Sequence, residues 1–286
     1  MSYQKLKDIV EQAARQNQAF WQPVIEDDMK ERNVTFEESF ADMRKMLRAM
    51  READANYDPT LRSASRLSGG DGAKLEAYRK TGQALAGDFM MNVMEKAIKM
   101  GESNACMKRI VAAPTAGSCG VIPAVLLSYE TYRNAPEDRL VEALFVAAGI
   151  GEVIASSASI SGAEGGCQAE IGSASAMAAG AVAYLENGDC ETITHAAALA
   201  LKNMLGLTCD PVAGLVEVPC IKRNVAGAVN AITSSQLALA GIRSAIDPDE
   251  VIDSMRRIGR LIPECLRETA KEGLAITPSA LSAVKL

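Results

Sequence analysis

Aromatic residues and histidine are scarce in this chain. Phenylalanine, tryptophan and tyrosine make up only 4% of its 286 residues, and there is one histidine. Alanine, glycine, serine and methionine are plentiful instead, and a core of small residues requires closely approaching backbones. This composition favours tightly packed helices over a sheet, which is usually rich in β-branched and aromatic side chains.

Other absences narrow the range of functions. The net charge is −6 at pH 7 and no basic stripe occurs, so nucleic acid is not an expected partner. No run of eighteen apolar residues predicts a membrane span. No secretory signal opens the sequence, and the seven cysteines are an odd number, which favours reduced thiols in a cytoplasmic protein.

Helical patterns run along the sequence, and no convincing strand with period two interrupts them. Thr35 and Glu38 have the spacing of a capping box, which predicts a helix start at Thr35. Asp247 followed by Pro248 predicts another start, and this last long helix is expected to run to about Ala270. We therefore predict an all-α fold, a compact bundle of small-residue-rich helices with the functional site on interhelical loops.

The length fits one large domain or two smaller ones, and we predict a single all-helical catalytic domain over residues 1–286. Residues 1–66 are rich in charge and are expected to form a helical N-terminal extension packed on the core. Residues 67–286 are expected to form the core that carries the site. Glycine- and proline-rich segments predict loops in this core and before it, at 56–71, 113–120, 155–175 and 209–223.

Three of the seven cysteines, Cys167, Cys209 and Cys220, fall in these loops. Such loops can direct backbone N–H groups at thiolates, as iron–sulfur centres require. No short Cys-x-x-Cys motif is present, so spacing alone leaves a metal centre open without predicting it. A structural zinc ion takes four ligands, whereas three thiolates suit a [4Fe–4S] cluster with one open iron.

The other cysteines and the single histidine have different surroundings. Cys106, Cys190 and Cys265 lie in or beside helical segments and are expected to be buried apolar side chains. Cys119 lies in a glycine-rich loop whose neighbours suggest a role other than ligation. His195 falls within a helical run and is expected to be a packed histidine, with catalysis or support of the site as the alternative.

Long runs around the cysteines carry a family resemblance. They are residues 68–71, 114–118, 159–170, 202–207 and 209–224. With these runs, over roughly residues 60–275, the sequence resembles the α chain of the iron–sulfur-dependent L-serine dehydratase family. The resemblance implies that Cys167, Cys209 and Cys220 hold a [4Fe–4S] cluster. It also implies an oligomeric enzyme with a separate β chain, because the extra domain of single-chain relatives is absent here.

The resemblance further implies a lyase that converts L-serine to pyruvate and ammonia. The open iron would act as a Lewis acid on the serine hydroxyl, and no pyridoxal phosphate would be needed. Two alternatives stay open: a cluster-dependent L-cysteine desulfidase, and a non-catalytic iron–sulfur sensor or structural subunit. In some single-chain relatives a C-terminal cysteine caps the open iron, and the tail of this sequence contains no cysteine.

Two loops are candidates for substrate binding. The run Thr115-Ala116-Gly117-Ser118 precedes an apolar helix and could bind the substrate carboxylate through backbone N–H groups. The run Ser68-Gly69-Gly70-Asp71 is the second candidate, and either run could instead be only a turn at a helix entry. Lys222 is the candidate general base. Alternatively, Lys222 and Arg223 balance the cluster charge or contact the partner, and the base comes from the β chain.

Overall fold

A computed structural model describes residues 3–283, and the regular secondary structure of this part of the chain consists of helices. Between residues 3 and 283 there is no strand, and the only sheet-like pairing is an isolated bridge between Cys209 and Arg267. The predicted all-α class is therefore confirmed for the described residues. The helices are α1 (Leu6–Gln16), α2 (Trp21–Arg32), α3 (Phe36–Ala55), α4 (Asp71–Lys80), α5 (Gly87–Ala105), α6 (Val121–Arg133), α7 (Glu137–Ser157), α8 (Gly162–Gly165), α9 (Ser173–Leu185), α10 (Cys190–Lys202), α11 (Cys220–Leu239), α12 (Pro248–Leu261) and α13 (Pro278–Ala283).

Helix α9 lies at the centre of the molecule. It packs against α6, α7, α10 and α11, and every one of its residues is buried. Its sequence is mostly alanine, serine and glycine, which lets neighbouring helices come close. A Cβ on Gly180 would lie only 2.2 Å from Ile150 Cδ1 of α7. This close approach explains how the core is filled with so few aromatic side chains.

The N-terminal helices pack on the same core. Helices α2 and α3 contact α7, and α1 contacts α7, α10 and α12. Leu6 and Phe20 are at most 2% exposed and belong to an apolar cluster that extends to Met255. The prediction of one domain over residues 1–286 stays a prediction, and residues 1–2 and 284–286 lie outside the described residues.

The predicted helix starts are found at α3 and α12. Thr35 Oγ1 accepts the Glu38 N–H at 3.2 Å, and Glu38 Oε2 accepts the Thr35 N–H at 2.8 Å, which completes the capping box. Asp247 caps α12, with Pro248 as its first residue. These starts were predictable because they depend on residues three or fewer positions apart.

Helix α7 is the one helix of the described chain that is long and apolar enough to cross a membrane by length and composition. However, 67% of its apolar stretch is buried inside the protein. The helix contacts α2, α3 and α9. Helix α7 is therefore a core helix in this structure.

Three predicted boundaries are wrong. Helix α12 ends at Leu261 rather than near Ala270, because Pro263 disfavours helical backbone at Ile262, which has ψ 125°. Cys220 opens α11 instead of lying in a loop, because a proline such as Pro219 is tolerated at a helix start. Segment 155–175 was predicted as a loop but is largely helical, and Gly166 is the one residue in it with positive φ. A π-helical turn (Gln168–Gly172) leads from this segment into α9.

Candidate functional site

The three predicted ligand cysteines lie near one another although they come from different segments. Cys167 precedes the π-helical turn before α9, Cys209 follows α10, and Cys220 begins α11. Each is at most 6% exposed, and each is a free thiol. The Cys167 and Cys209 side chains are close enough to shift each other's pKa, and the charge of Cys167 also raises the pKa of Cys220.

Gln168 fixes the first cysteine segment to the second. Its backbone N–H donates to Leu207 O at 3.0 Å, and its Oε1 accepts the Gly206 N–H at 2.9 Å. Its Nε2 donates to Met255 O of α12 at 3.1 Å. Because Gln168 is fully buried, these bonds set the relative position of both segments and α12.

The segment after α12 forms a wall of the site beside Cys209. The Cys209 N–H donates to Leu266 O at 2.8 Å, and the Glu268 N–H donates to Cys209 O at 2.7 Å. The neighbouring Asp210 accepts the Leu274 N–H through Oδ2 at 2.9 Å. Part of the segment predicted to continue the last helix therefore supports the loop that carries Cys209.

Arg223 is the cationic side chain next to the thiols. Its Nη2 lies 2.9 Å from Asp210 Oδ1, and its Nη1 donates to Thr208 O at 2.8 Å. The guanidinium is also within hydrogen-bond reach of Cys167. Arg223 is thus held by Asp210 and Thr208 in a position where it can offset negative charge on sulfur.

The three thiols differ in acidity. The hydrogen bond with Cys209 lowers the pKa of Cys167, burial opposes this, and the charge of Arg223 adds to the lowering. The same hydrogen bond, followed by burial, raises the pKa of Cys209. Burial raises the pKa of Cys220 to about 12. Cys167 and Cys209 therefore titrate as a coupled pair, in which the pKa of Cys167 is lowered and that of Cys209 is raised.

Glu170 is a largely buried carboxylate beside the thiols. Its Oε1 accepts a hydrogen bond from Thr115 Oγ1 at 2.7 Å. A Cβ on Gly117 would lie 2.8 Å from Oε1, and a Cβ on Gly162 would lie 2.9 Å from Oε2 and 3.2 Å from Cys209 Sγ. The carboxylate therefore occupies space that two glycines leave open. Burial raises its pKa, an effect that the bond from Thr115 opposes.

The predicted run Thr115-Ala116-Gly117-Ser118 lies next to the cysteine segments. Asn224 holds it there, since Nδ2 donates to Gly117 O at 2.8 Å and to Cys220 O at 3.0 Å. The Oδ1 of the same side chain accepts the Gly120 N–H at 2.8 Å. The structure brings this run and the cysteines together, and its role in substrate binding stays a prediction.

The second predicted run, Ser68-Gly69-Gly70-Asp71, is held by a carboxylate of the protein itself. Glu102 is 1% exposed. It accepts four hydrogen bonds, from the backbone N–H groups of Gly69, Asp71 and Gly72 and from the hydroxyl of Tyr57. Those N–H groups are therefore already bound. Ser68 Oγ is buried and has no hydrogen-bond partner among the described residues, so it remains a candidate contact.

Lys222 lies at the protein surface. Its Nζ donates to Asp71 Oδ2 at 2.8 Å, and its side chain is 53% exposed. An ammonium group held by a carboxylate has no lone pair to accept a proton, so this contact disfavours the predicted base role. Charge balance next to sulfur, the alternative raised for Lys222 and Arg223, fits the position of Arg223.

The donor set fits a cluster better than a single ion. Between residues 3 and 283, no three cysteine, histidine or acidic side chains are grouped closely enough to hold one metal ion. A [4Fe–4S] cluster is larger and holds its ligands further apart. Three buried thiols and the adjacent charge of Arg223 match what such a cluster requires.

The remaining predicted side chains lie in other surroundings. Cys119 is 1% exposed with Sγ facing Met100 O, and burial raises its pKa to about 12. Three further cysteines are half-buried rather than buried as predicted: Cys106, Cys190 and Cys265. His195 is packed as predicted, with Nδ1 accepting the Ser244 N–H at 3.2 Å.

Sequence reasoning did not single out Glu170 or Asp210 as site residues. Both lie inside runs that carry the family resemblance, and each lies within three positions of a predicted ligand cysteine. An acidic residue so close to a buried thiol was the available signal. Their hydrogen-bond partners could not be predicted, because Thr115 lies far from Glu170 in the sequence and Leu274 lies far from Asp210.

The fold and the site define a helical protein with a buried three-thiol centre where three chain segments meet. The sequence model of the family described as "Serine dehydratase alpha chain" matches residues 15–275, and the chain belongs to this family. It is 44% identical over 277 residues to the "Probable L-serine dehydratase, alpha chain" of Bacillus subtilis, covering 97% of this chain and 92% of the relative. The predicted family is confirmed.

Two further relatives differ in length. The chain is 41% identical over 257 residues to the "L-serine dehydratase, alpha chain" of Peptoniphilus asaccharolyticus, covering 88% of this chain and 87% of the relative. It is 40% identical over 248 residues to an "L-serine dehydratase" of Helicobacter pylori, covering 83% of this chain and 54% of the relative. The chain thus spans about half of the longer relative.

Proposed function

We propose that this chain is the catalytic α subunit of an L-serine dehydratase, a cytoplasmic lyase that converts L-serine to pyruvate and ammonia. The observation that carries the proposal is the convergence of three buried thiols, those of Cys167, Cys209 and Cys220, in a chain of this family. The names of the alpha-chain relatives support a separate β chain as partner in an oligomeric enzyme. The Helicobacter relative also contains a large part that this chain does not match, which supports a separate β chain as well.

We propose that the three thiols hold a [4Fe–4S] cluster, with Arg223 offsetting part of the thiolate charge. When bound, the cluster would supply a Lewis-acidic iron for departure of the serine hydroxyl. Cys167, whose pKa is already lowered, is the thiol best prepared to coordinate as thiolate. No pyridoxal phosphate forms part of the proposal.

The substrate carboxylate is proposed to bind the run Thr115-Ala116-Gly117-Ser118. Glu170 holds this run in place through Thr115 Oγ1, and Asn224 holds it through Gly117 O. Ser68 Oγ, buried without a partner among the described residues, is the proposed contact from the run Ser68-Gly69-Gly70-Asp71. The proton acceptor is proposed to come from the β chain, because Lys222 is bound to Asp71.

A single catalytic domain over residues 1–286 is part of the proposal. Its support is the apolar cluster that includes Leu6 of α1, Phe145 of α7 and Met255 of α12. Burial of α7 within that cluster supports a protein that folds without a membrane.

The test is anaerobic preparation of the chain with and without its β chain, followed by absorption, iron and pyruvate measurements. We expect a brown protein that releases pyruvate from L-serine. Replacing Cys167, Cys209 or Cys220 by serine should remove both the colour and the activity. Cys190→Ser is the matched control, because Cys190 is a half-buried thiol at the start of α10, away from the three thiols and both proposed substrate runs, and it should retain both.

Three other outcomes would contradict the proposal in different ways. A colourless preparation with full activity would refute the cluster. Faster turnover of L-cysteine than of L-serine would favour a desulfidase. A brown protein that turns over neither amino acid, even with the β chain present, would favour a sensor or structural subunit.

A further inference from the structure

A cavity of about 360 Å³ lies between the segment that carries Cys167 and helix α12. None of the three site cysteines lines it. Three arginines do, Arg256, Arg260 and Arg267, and the only acidic side chain in the lining is Glu164. The cavity is therefore cationic and distinct from the three-thiol centre.

The arginines of this cavity differ in whether a carboxylate of the protein pairs with them. Arg256 Nη2 lies 2.5 Å from Asp253 Oδ1, so its charge is offset. Arg260 forms no ion pair within the described part of the chain. Arg267 Nη1 donates to the backbone oxygen of Glu164 at 3.3 Å, but its Nε is buried and has no hydrogen-bond partner among the described residues. Because Nε is buried, the groups that Arg267 can offer to a ligand in the cavity are those of its Nη atoms, and no carboxylate of the described residues pairs with them.

We propose that this cavity binds a small oxyanion of the carboxylate or phosphate class, with Arg260 and Arg267 as its charged contacts. Guanidinium groups donate parallel hydrogen bonds to both kinds of oxyanion. Ser159 and Gln168 add polar groups to the lining, and the volume suits a small molecule. Binding to this cavity does not depend on the proposed function.

Occupancy of the cavity would act on the cysteine segments. The lining includes Gly165 and Gln168, and Gln168 fixes both cysteine segments to each other and to α12. A Cβ on Gly259 would lie 2.9 Å from Gly165 Cα, so α12 and this segment are already in tight contact. An anion that joins Arg260 of α12 to Arg267 of the following segment therefore stabilises the frame around Cys167 and Cys209.

The proposal is tested by titrating the chain with inorganic phosphate and with pyruvate, in separate experiments at constant ionic strength set with chloride. Isothermal calorimetry measures Kd, and the shift in Tm measures stabilisation. We expect saturable binding of at least one probe, and the probe that saturates identifies the class. Arg260→Gln should weaken binding about tenfold or more, because one charged hydrogen-bonding group is lost. The variant Arg260→Gln with Arg267→Gln should abolish binding.

Arg257→Gln is the matched control. Arg257 lies on the same helix and pairs with Asp253, but it does not line the cavity, so this variant should bind like the wild type. Arg260 is exposed, so Arg260→Gln keeps the test valid even if the double variant folds poorly. Absence of saturable binding of both probes, or equal binding by the wild type and Arg260→Gln, would overturn the proposal. Loss of serine turnover with binding intact would concern the proposed function alone.

Discussion

Thr115 Oγ1 donates a hydrogen bond of 2.7 Å to Glu170 Oε1, and this bond joins the loop before α6 to the segment that carries Cys167. Glu170 is largely buried, and burial raises its pKa. A hydrogen bond in such surroundings is stronger than one in water, and breaking it leaves a polar group unsatisfied. The pair therefore links the proposed substrate loop to the three-thiol centre.

The first prediction concerns this bond. Thr115→Val keeps the shape of the side chain but removes the donor, so the loop loses its connection to Glu170. We expect kcat/KM for L-serine to fall by about tenfold to a hundredfold, the range for a hydrogen bond to a charged group. Steady-state kinetics of the loaded enzyme, with pyruvate as the measured product, check this.

A double-mutant cycle separates this coupling from a general structural effect. If Thr115 acts through Glu170, the combination of Thr115→Val and Glu170→Ala, each of which removes the bond, should cost much less than the two single losses added together. Thr115→Ser, which keeps the hydroxyl, should restore most of the activity. Fully additive losses would contradict the coupling.

The second prediction concerns Gly162. A Cβ at this position would lie 2.9 Å from Glu170 Oε2 and 3.2 Å from Cys209 Sγ, so Gly162→Ala forces the carboxylate or the thiol to move. We expect reduced iron content per chain and weaker visible absorption. Overpacking of this kind costs about 1–3 kcal/mol, so the protein should still fold.

Gly188→Ala is the control for this variant. Its Cβ would lie 2.8 Å from Ala183 O, in the turn between α9 and α10, so it introduces a similar clash away from the thiols. Its iron content should equal that of the wild type. Equal loss of iron in both variants would mean that Gly162 acts only through overall stability.

The third prediction concerns Glu102. This carboxylate accepts three backbone N–H groups at 2.8–3.1 Å and the Tyr57 hydroxyl at 2.5 Å. Glu102→Gln places an NH₂ group against these donors, so we expect a loss of about 2–3 kcal/mol in the free energy of unfolding. Tyr57→Phe removes one bond and should cost about 1 kcal/mol. Urea denaturation of both variants measures the difference, and equal losses would contradict the special role of the carboxylate.

Glu102 also shows what the sequence could not predict. The run Ser68-Gly69-Gly70-Asp71 has the composition of an anion-binding turn, and it does bind a carboxylate. That carboxylate belongs to α5 of the same chain, about thirty residues away, so no local pattern indicates it. Composition therefore predicted that this segment is a loop, while tertiary packing decided which group its N–H groups bind.

The site role of the three cysteines was easier to predict than the local structure around each of them. The glycine- and proline-rich surroundings of Cys167, Cys209 and Cys220 marked them as candidates, and the structure brings them together. Proline alone does not distinguish a helix start from a loop, which is why Pro219 led to a wrong prediction for Cys220. The support from Leu266 and Glu268 depends on a contact between distant segments, and periodicity cannot reveal it.

The fourth prediction concerns the pH dependence of stability. Burial, reinforced by the charge of Arg243, lowers the pKa of His195, and Nδ1 accepts the Ser244 N–H at 3.2 Å. His195 is the only histidine of the chain. In the unfolded chain its pKa returns to about 6.5, so the unfolded state binds more protons near and below that pH. The free energy of unfolding should therefore fall as the pH drops from about 7 through 6.5, until the folded form is protonated too.

His195→Asn tests this assignment, because Oδ1 of asparagine can accept the Ser244 N–H but does not titrate. Urea denaturation at intervals between about pH 8 and 5.5 should give a curve for the wild type that falls more steeply than that of the variant. Aspartate and glutamate in the unfolded chain titrate mostly below this window, at about pH 4, so they contribute similarly to both proteins. Parallel curves across the window would mean that the acid sensitivity comes from other groups.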